Sequence, residues 1–109
     1  MKPKYQEIAE QHGKSLAPAG VNGIAFERKY ALLALEALRG SGLSVLGGDV
    51  YSSKMGRLRL TYDNWSSQRI IGEDPDAFKM RSIEEASRYI ANYKESEVGT
   101  TLYSIVIKE

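Results

Sequence analysis

The run Ala31-Leu32-Leu33-Ala34-Leu35-Glu36-Ala37-Leu38 constrains the fold more than any other stretch of the chain. Every residue in it except Glu36 is apolar, and most are strong helix formers. Ile24, Ala31, Leu35 and Leu38 recur at helical spacing and define one buried stripe. A helix over 24–39 is expected, with Asn22 as its N-cap and Arg39-Gly40 at its end. Leu32 and Leu33 widen the stripe, so the helix is expected to lie against a sheet rather than at an edge. The run is far shorter than the ~20 apolar residues that span a bilayer.

The remaining segments supply that sheet. Lys4 to His12 reads as a short helix, with Ile8 and Tyr5 inward and Gly13 at its end. Residues 15–23 collect Pro18, Gly20, Asn22 and Gly23 and read as a loop. Leu43-Ser44-Val45-Leu46 and Val50-Tyr51 are rich in strand formers, separated by Gly47-Gly48-Asp49. Lys54-Met55-Gly56 is a turn. Arg57 to Tyr62 alternates polar and apolar residues, the pattern of a half-buried strand completing a hairpin. Residues 63–75 are mostly polar and read as a long loop, with room for a short strand at Arg69-Ile70-Ile71. Ser82-Ile83-Glu84-Glu85 has the form of a capping box, starting a helix to about Lys94 with Ile83, Ala86 and Ile90 inward. Thr100 to Ile107 is a closing strand of β-branched and aromatic residues. The order predicts an α+β fold, a single layer of about three helices packed on a small, mainly antiparallel sheet. At 109 residues the chain is expected to form one domain, 1–109.

The formal charge of +1 argues against strong nucleic-acid binding. Residues 1–60 carry nine Lys/Arg and five Asp/Glu, whereas residues 61–109 carry six and nine. The two signs are therefore segregated along the chain and could form separate patches. With no cysteine there is neither a disulfide framework nor a thiolate zinc site. Basic residues follow Met1 but no apolar signal-peptide core does, so a cytoplasmic protein without a membrane partner is expected.

Few residues offer chemistry. The lone histidine, His12, has no second His or Cys to join it, and Glu73-Asp74-Pro75-Asp76 lacks the spaced ligands of a calcium loop. No metal or cofactor is expected. No Gly-x-Ser-x-Gly elbow and no phosphate-loop spacing occurs, so no catalytic residue is assigned. Gly47-Gly48 reads most simply as a β-bulge or kink that Asp49 braces by bonding backbone N–H groups. Trp65, the only tryptophan, reads either as a cap on one end of the sheet or as an anchor for a partner. Asp49 and Asp63 would add charge-assisted contacts to a basic partner. Two other readings remain open here. Asp49 and Asp63 could serve a small enzyme or ligand-binding domain at a glycine-lined pocket, or Trp65 could be buried in a homo-oligomer.

Gly42-Leu43-Ser44-Val45-Leu46-Gly47-Gly48-Asp49-Val50-Tyr51, the basic hairpin, and then Thr61-Tyr62-Asp63-Asn64-Trp65 and Tyr89-Ile90 resemble the immunity protein 40 family of bacterial polymorphic toxin systems. The resemblance covers about Val21 to Ile107, leaving the helix and loop of residues 1–20 outside it. It implies a cytosolic protein that neutralises a cognate toxin domain, as in contact-dependent growth inhibition, by stoichiometric occlusion and without catalysis. Many such toxins are nucleases, whose basic clefts would accept carboxylates in place of phosphates. The expected partner surface comprises Asp49, Tyr51, Asp63 and Trp65, extended by Glu73, Asp74 and Asp76. The free protein is expected to be a monomer or a weak homodimer.

Overall fold

The computed structural model describes residues 4–108. Its elements are α1 (Lys4–His12), β1 (Lys14–Ser15), β2 (Ile24–Ala25), α2 (Arg28–Leu38), β3 (Ser44–Lys54), β4 (Arg57–Ser66), α3 (Pro75–Asn92), β5 (Thr100–Tyr103) and β6 (Val106–Lys108). A turn of 3₁₀ helix, Ala17–Ala19, lies between β1 and β2. The α+β class expected from the sequence is the class observed.

The sheet is organised around β3. On one side β3 pairs antiparallel with β4; on the other it pairs antiparallel with β5 and β6 in tandem. The expected closing strand is thus split in two at Ser104-Ile105. At that break Ser104 grips the backbone of Asp49. Its N–H donates to the Asp49 carbonyl (2.9 Å) and its hydroxyl accepts from the Asp49 N–H (2.9 Å).

One face of the sheet carries the helices. Phe26, Leu35, Leu38, Val45, Val50, Ile83, Ile90 and Tyr103 meet there in the main core. Full burial of a side chain such as Leu35 contributes about 1.5–3 kcal/mol. The inward positions of α3, Ile83, Ala86 and Ile90, are those its sequence spacing predicts. Part of the opposite face is covered by the chain between α1 and α2. Leu16 and Ala25 pack there on Tyr51 and Leu102.

Several boundaries differ from the sequence reading, each for a physical reason. The second helix begins at Arg28, with Glu27 rather than Asn22 at its N-cap. Ile24–Ala25 pairs with Lys14–Ser15, and Phe26 exchanges two 2.8 Å backbone bonds with Tyr103, so this segment is held extended. Leu33 does not widen the buried stripe; it is 52% exposed, because α2 lies between α1 and α3 and its outer side is open. β4 is an edge strand with mostly exposed residues and it runs through Trp65 to Ser66, where a loop was expected. No strand forms at Arg69-Ile70-Ile71; instead Ile70 opens a tight turn that closes on Glu73. The third helix starts at Pro75, and Asp74 is its N-cap, accepting from the N–H groups of Asp76 and Ala77. Ser82 lies in mid-helix, fully buried. Its hydroxyl donates to the Lys79 carbonyl and accepts from the Val45 N–H, both at 2.9 Å. The expected capping box is therefore a helix-to-sheet bridge.

Charges from the two halves of the chain meet at two places. Arg39 joins Glu36 (2.9 Å) to Glu84 (2.8 Å), and Arg28 pairs with Glu95 (3.7 Å), so opposite signs from the two halves meet. Arg28 also donates to the carbonyls of Ile90 and Tyr93, capping the C-terminal end of α3. No helix among the described residues is long and apolar enough to cross a membrane.

Candidate partner-binding surface

The two sequence motifs are two sides of one structure. Gly48 stands opposite Trp65 in the β3–β4 ladder, and Gly47 stands opposite Ser66. A Cβ on Gly48 would fall 2.4 Å from the Trp65 ring and 2.0 Å from the Ser104 carbonyl oxygen. One on Gly47 would fall 2.2 Å from the Trp65 carbonyl oxygen, and Gly47 also has a φ of 149°. The paired glycines are therefore required by close approach, and the indole occupies the space they leave. On its other side Trp65 stacks on Tyr89 of α3, with ring centroids 4.9 Å apart. Its Nε1 is buried without a hydrogen-bond partner. Trp65 thus packs within its own chain, against the main core. It remains half-buried, at the edge of a shallow depression that Asp49 and Asn64 also line.

Strand alternation then decides where the carboxylates go. Trp65 and Gly48 face the helices, so Asp49 and its partner Asn64 face the other way. No residue of the segment over Tyr51 lines the depression in which they lie. Asp49 is half-buried and Asn64 exposed, in a shallow depression of about 200 Å³ that Val106 also lines. Among the described residues no side chain hydrogen-bonds to the Asp49 carboxylate. The bend is braced instead by Ser104, through the Asp49 backbone. Tyr51, by contrast, is 3% exposed beneath Leu16, so its side chain is not on the surface a partner would meet. Burial, and secondarily the charge of Asp49, raises the Tyr51 hydroxyl above its ordinary pKa.

Between Asp49 and Tyr51 the β4 register slips, and Thr61-Tyr62-Asp63 forms a bulge. Thr61 Oγ1 donates to the Val50 carbonyl (2.9 Å) and accepts from the Asp63 N–H (3.1 Å); the Asn64 amide donates to the Tyr62 carbonyl (3.2 Å). Tyr62 sits there in the left-handed region, at φ 73°, with its side chain 82% exposed. Asp63 turns toward α3 and accepts a 2.5 Å bond from the Tyr93 hydroxyl. That bond, followed by burial, raises the pKa of Tyr93. Asp49 and Asp63 therefore point to different faces of the sheet. The glycine-lined pocket in which both carboxylates would converge is not formed.

The carboxylates of the expected acidic extension are bonded within the chain, though Asp74 and Asp76 stay exposed. Glu73 is held by Arg81 through two bonds of 2.8 and 2.9 Å, Asp74 caps α3, and Asp76 pairs with Lys79 at 3.3 Å. Arg81 also binds Glu85 (2.9 Å) and the Gln68 carbonyl (2.7 Å), pinning the β4–α3 loop to the helix. His12 stacks on Tyr30, with centroids 3.7 Å apart. No cluster of metal-ligating residues occurs among the described residues.

Sequence reasoning passed over Tyr62 and Ser104. Parity gave no signal for the first: Leu58 and Leu60 lie on the Tyr51 face and Trp65 on the helix face, as plain alternation would place them, because the bulge adds two residues to β4 and so restores the parity.

An α+β domain with a partly uncovered sheet face, a protruding tyrosine and a half-buried, unbonded carboxylate has the features of a protein that works by contact. The chain belongs to the immunity protein 40 family, whose model matches residues 15–107, nearly all of it. The match starts six residues before the resemblance read from the sequence, and so takes in Ser15 and the 3₁₀ turn that helps cover the sheet. Membership makes it an immunity protein and points away from catalysis. No curated protein and no solved structure matches the chain.

Proposed function

We propose that this immunity protein binds the catalytic domain of a cognate toxin one to one and blocks its active site or substrate groove. The observation that carries the reading is the Asp49 carboxylate. It stands half-buried on the uncovered part of the sheet, on a backbone that Ser104 holds on both sides, with no hydrogen-bond partner among the described residues. A fixed, partly desolvated carboxylate suits an incoming Lys or Arg, because charge-assisted bonds are strongest where water is already excluded. Exposed Asn64 and Tyr62 flank it on β4 and add polar and aromatic contact. Asp63, tied to Tyr93, stiffens this end of the strand. A toxin with a basic cleft, such as a nuclease, would offer the matching charge, and the encounter would take place in the cytoplasm of the producing cell.

Co-expression with the toxin encoded directly upstream tests the reading. Wild-type protein is expected to restore growth and to form a 1:1 complex, whereas Asp49→Lys should fold normally and protect poorly. Loss of protection with no complex formed by the wild-type protein would sink the proposal.

A further inference from the structure

The Arg69-Ile70-Ile71 segment, part of the expected 63–75 loop with room for a short strand, carries the most exposed isoleucines of the described chain. Ile71 is fully exposed and Ile70 is 61% exposed. An exposed isoleucine on a floppy loop would carry little meaning, but this loop is fixed. The Glu73 N–H donates to the Ile70 carbonyl (2.8 Å), closing a tight turn whose third residue, Gly72, has the left-handed φ of 86° that such a turn needs. The Glu73 carboxylate accepts from the Ile70 N–H (3.1 Å) and from Arg81 twice. Arg81 reaches back to the Gln68 carbonyl as well, so both ends of the turn hang on one guanidinium. At its base, the Ser67 N–H donates to the Leu46 carbonyl (2.9 Å) and its hydroxyl to Glu85 (2.5 Å).

From this we propose that residues 68–73 form a pre-organised finger that inserts Ile70 and Ile71 into an apolar pocket on the toxin domain, with an acidic group on its rim facing Arg69 and basic groups facing the exposed Asp74 and Asp76. The inference rests on the toxin-binding reading above and adds a second contact to it. The clasp lowers the ordering entropy of binding, which is what turns exposed apolar area into affinity. Arg69, beside the tip and without an ion pair among the described residues, supplies the complementary charge for the acidic group on that rim. An anionic membrane surface is a poorer match, because Asp74 and Asp76 stand exposed just beyond the turn and would be repelled by it.

The test uses full-length protein carrying Ile70→Ser with Ile71→Ser, and separately Arg69→Glu, against the purified C-terminal domain of the upstream-encoded toxin. The double variant should keep the wild-type melting temperature, since neither side chain is buried, and should bind at least about 30-fold more weakly, as expected for a hot spot. Arg69→Glu should weaken binding less, with a reduced salt dependence. Equal binding by wild type and double variant overturns the inference and leaves the toxin reading standing. A wild-type protein that does not bind at all overturns both. Isoleucine-dependent capture by phosphatidylserine vesicles, or an isoleucine-dependent dimer in sedimentation, would overturn it in favour of a membrane or a second copy.

Discussion

Gly48 and Trp65 face each other across the β3–β4 ladder so closely that the indole stands where a Gly48 side chain would begin. The pair locks two sheet strands to α3 through the Trp65–Tyr89 stack. Gly48→Ala would push a methyl group to 2.0 Å from a backbone carbonyl and 2.4 Å from the ring. Because the carbonyl cannot swing aside as a flexible side chain would, destabilisation of about 3 kcal/mol is expected, at the upper end for overpacking. Urea unfolding followed by the single tryptophan would measure it. Trp65→Phe, which lacks that probe and is followed by circular dichroism instead, should be milder, at under about 2 kcal/mol, because it removes a buried N–H that has no partner among the described residues along with some packing area.

That pairing also marks how far the sequence could be read. The class of fold, the Lys54-Met55-Gly56 turn and the inward face of α3 follow from periodicity and turn chemistry alone, because each depends on neighbours in sequence. What escaped depends on distant partners. Ser82 looks like a helix start until Val45 is seen donating to it, and Ile24–Ala25 looks helical until β1 and Tyr103 hold it extended. The candidate surface was legible in part. Asp49 is on the outer face, but Tyr51, two residues on, is buried by a loop that alternation cannot anticipate. Glu73, Asp74 and Asp76 read as a free acidic stretch because their partners, Arg81, a helix N-terminus and Lys79, are fixed only once α3 starts at Pro75.

Ser82 yields a prediction of its own. Ser82→Ala removes the acceptor of a buried Val45 N–H without creating a large cavity. An orphaned buried donor costs about 1–3 kcal/mol. Unfolding by urea should show that loss, and hydrogen exchange should show the Val45 amide losing more protection than its neighbours in β3.

Tyr62 separates backbone strain from packing. A non-glycine residue in the left-handed region costs about 1–2 kcal/mol, and this side chain recovers little of that because it is mostly exposed. Tyr62→Gly should therefore leave stability unchanged or raise it by up to about 1 kcal/mol, the gain being offset partly by the greater freedom of glycine in the unfolded chain. Tyr62→Val should lower it by about 1–2 kcal/mol, since β-branching disfavours this conformation further. Equal stabilities for the two variants in paired denaturation curves would contradict the strain.

Acid should loosen the molecule first at the Arg81 clasp. Bonds from Arg81, helped by the Ile70 N–H, draw the Glu73 carboxyl from its ordinary 4.5 down to about 2. Arg39 lowers Glu84, and Ser67 with Arg81 lowers Glu85. For carboxylates depressed in the folded state, the unfolded chain takes up protons first as pH falls. The Glu73 contribution is complete above about pH 4.5 and drains away between there and about pH 2; those of Glu84 and Glu85 are lost in the same direction as pH falls. Melting temperature should hold level near neutrality and fall across that window. Glu73→Gln removes one of the depressed groups, so its curve should start lower and fall less steeply than wild type. The two curves should converge toward pH 2, and raised salt should soften the difference, because Glu73 and Arg81 lie near solvent. A Glu73→Gln curve parallel to wild type through the whole window would show that the clasp does not set the acid limb.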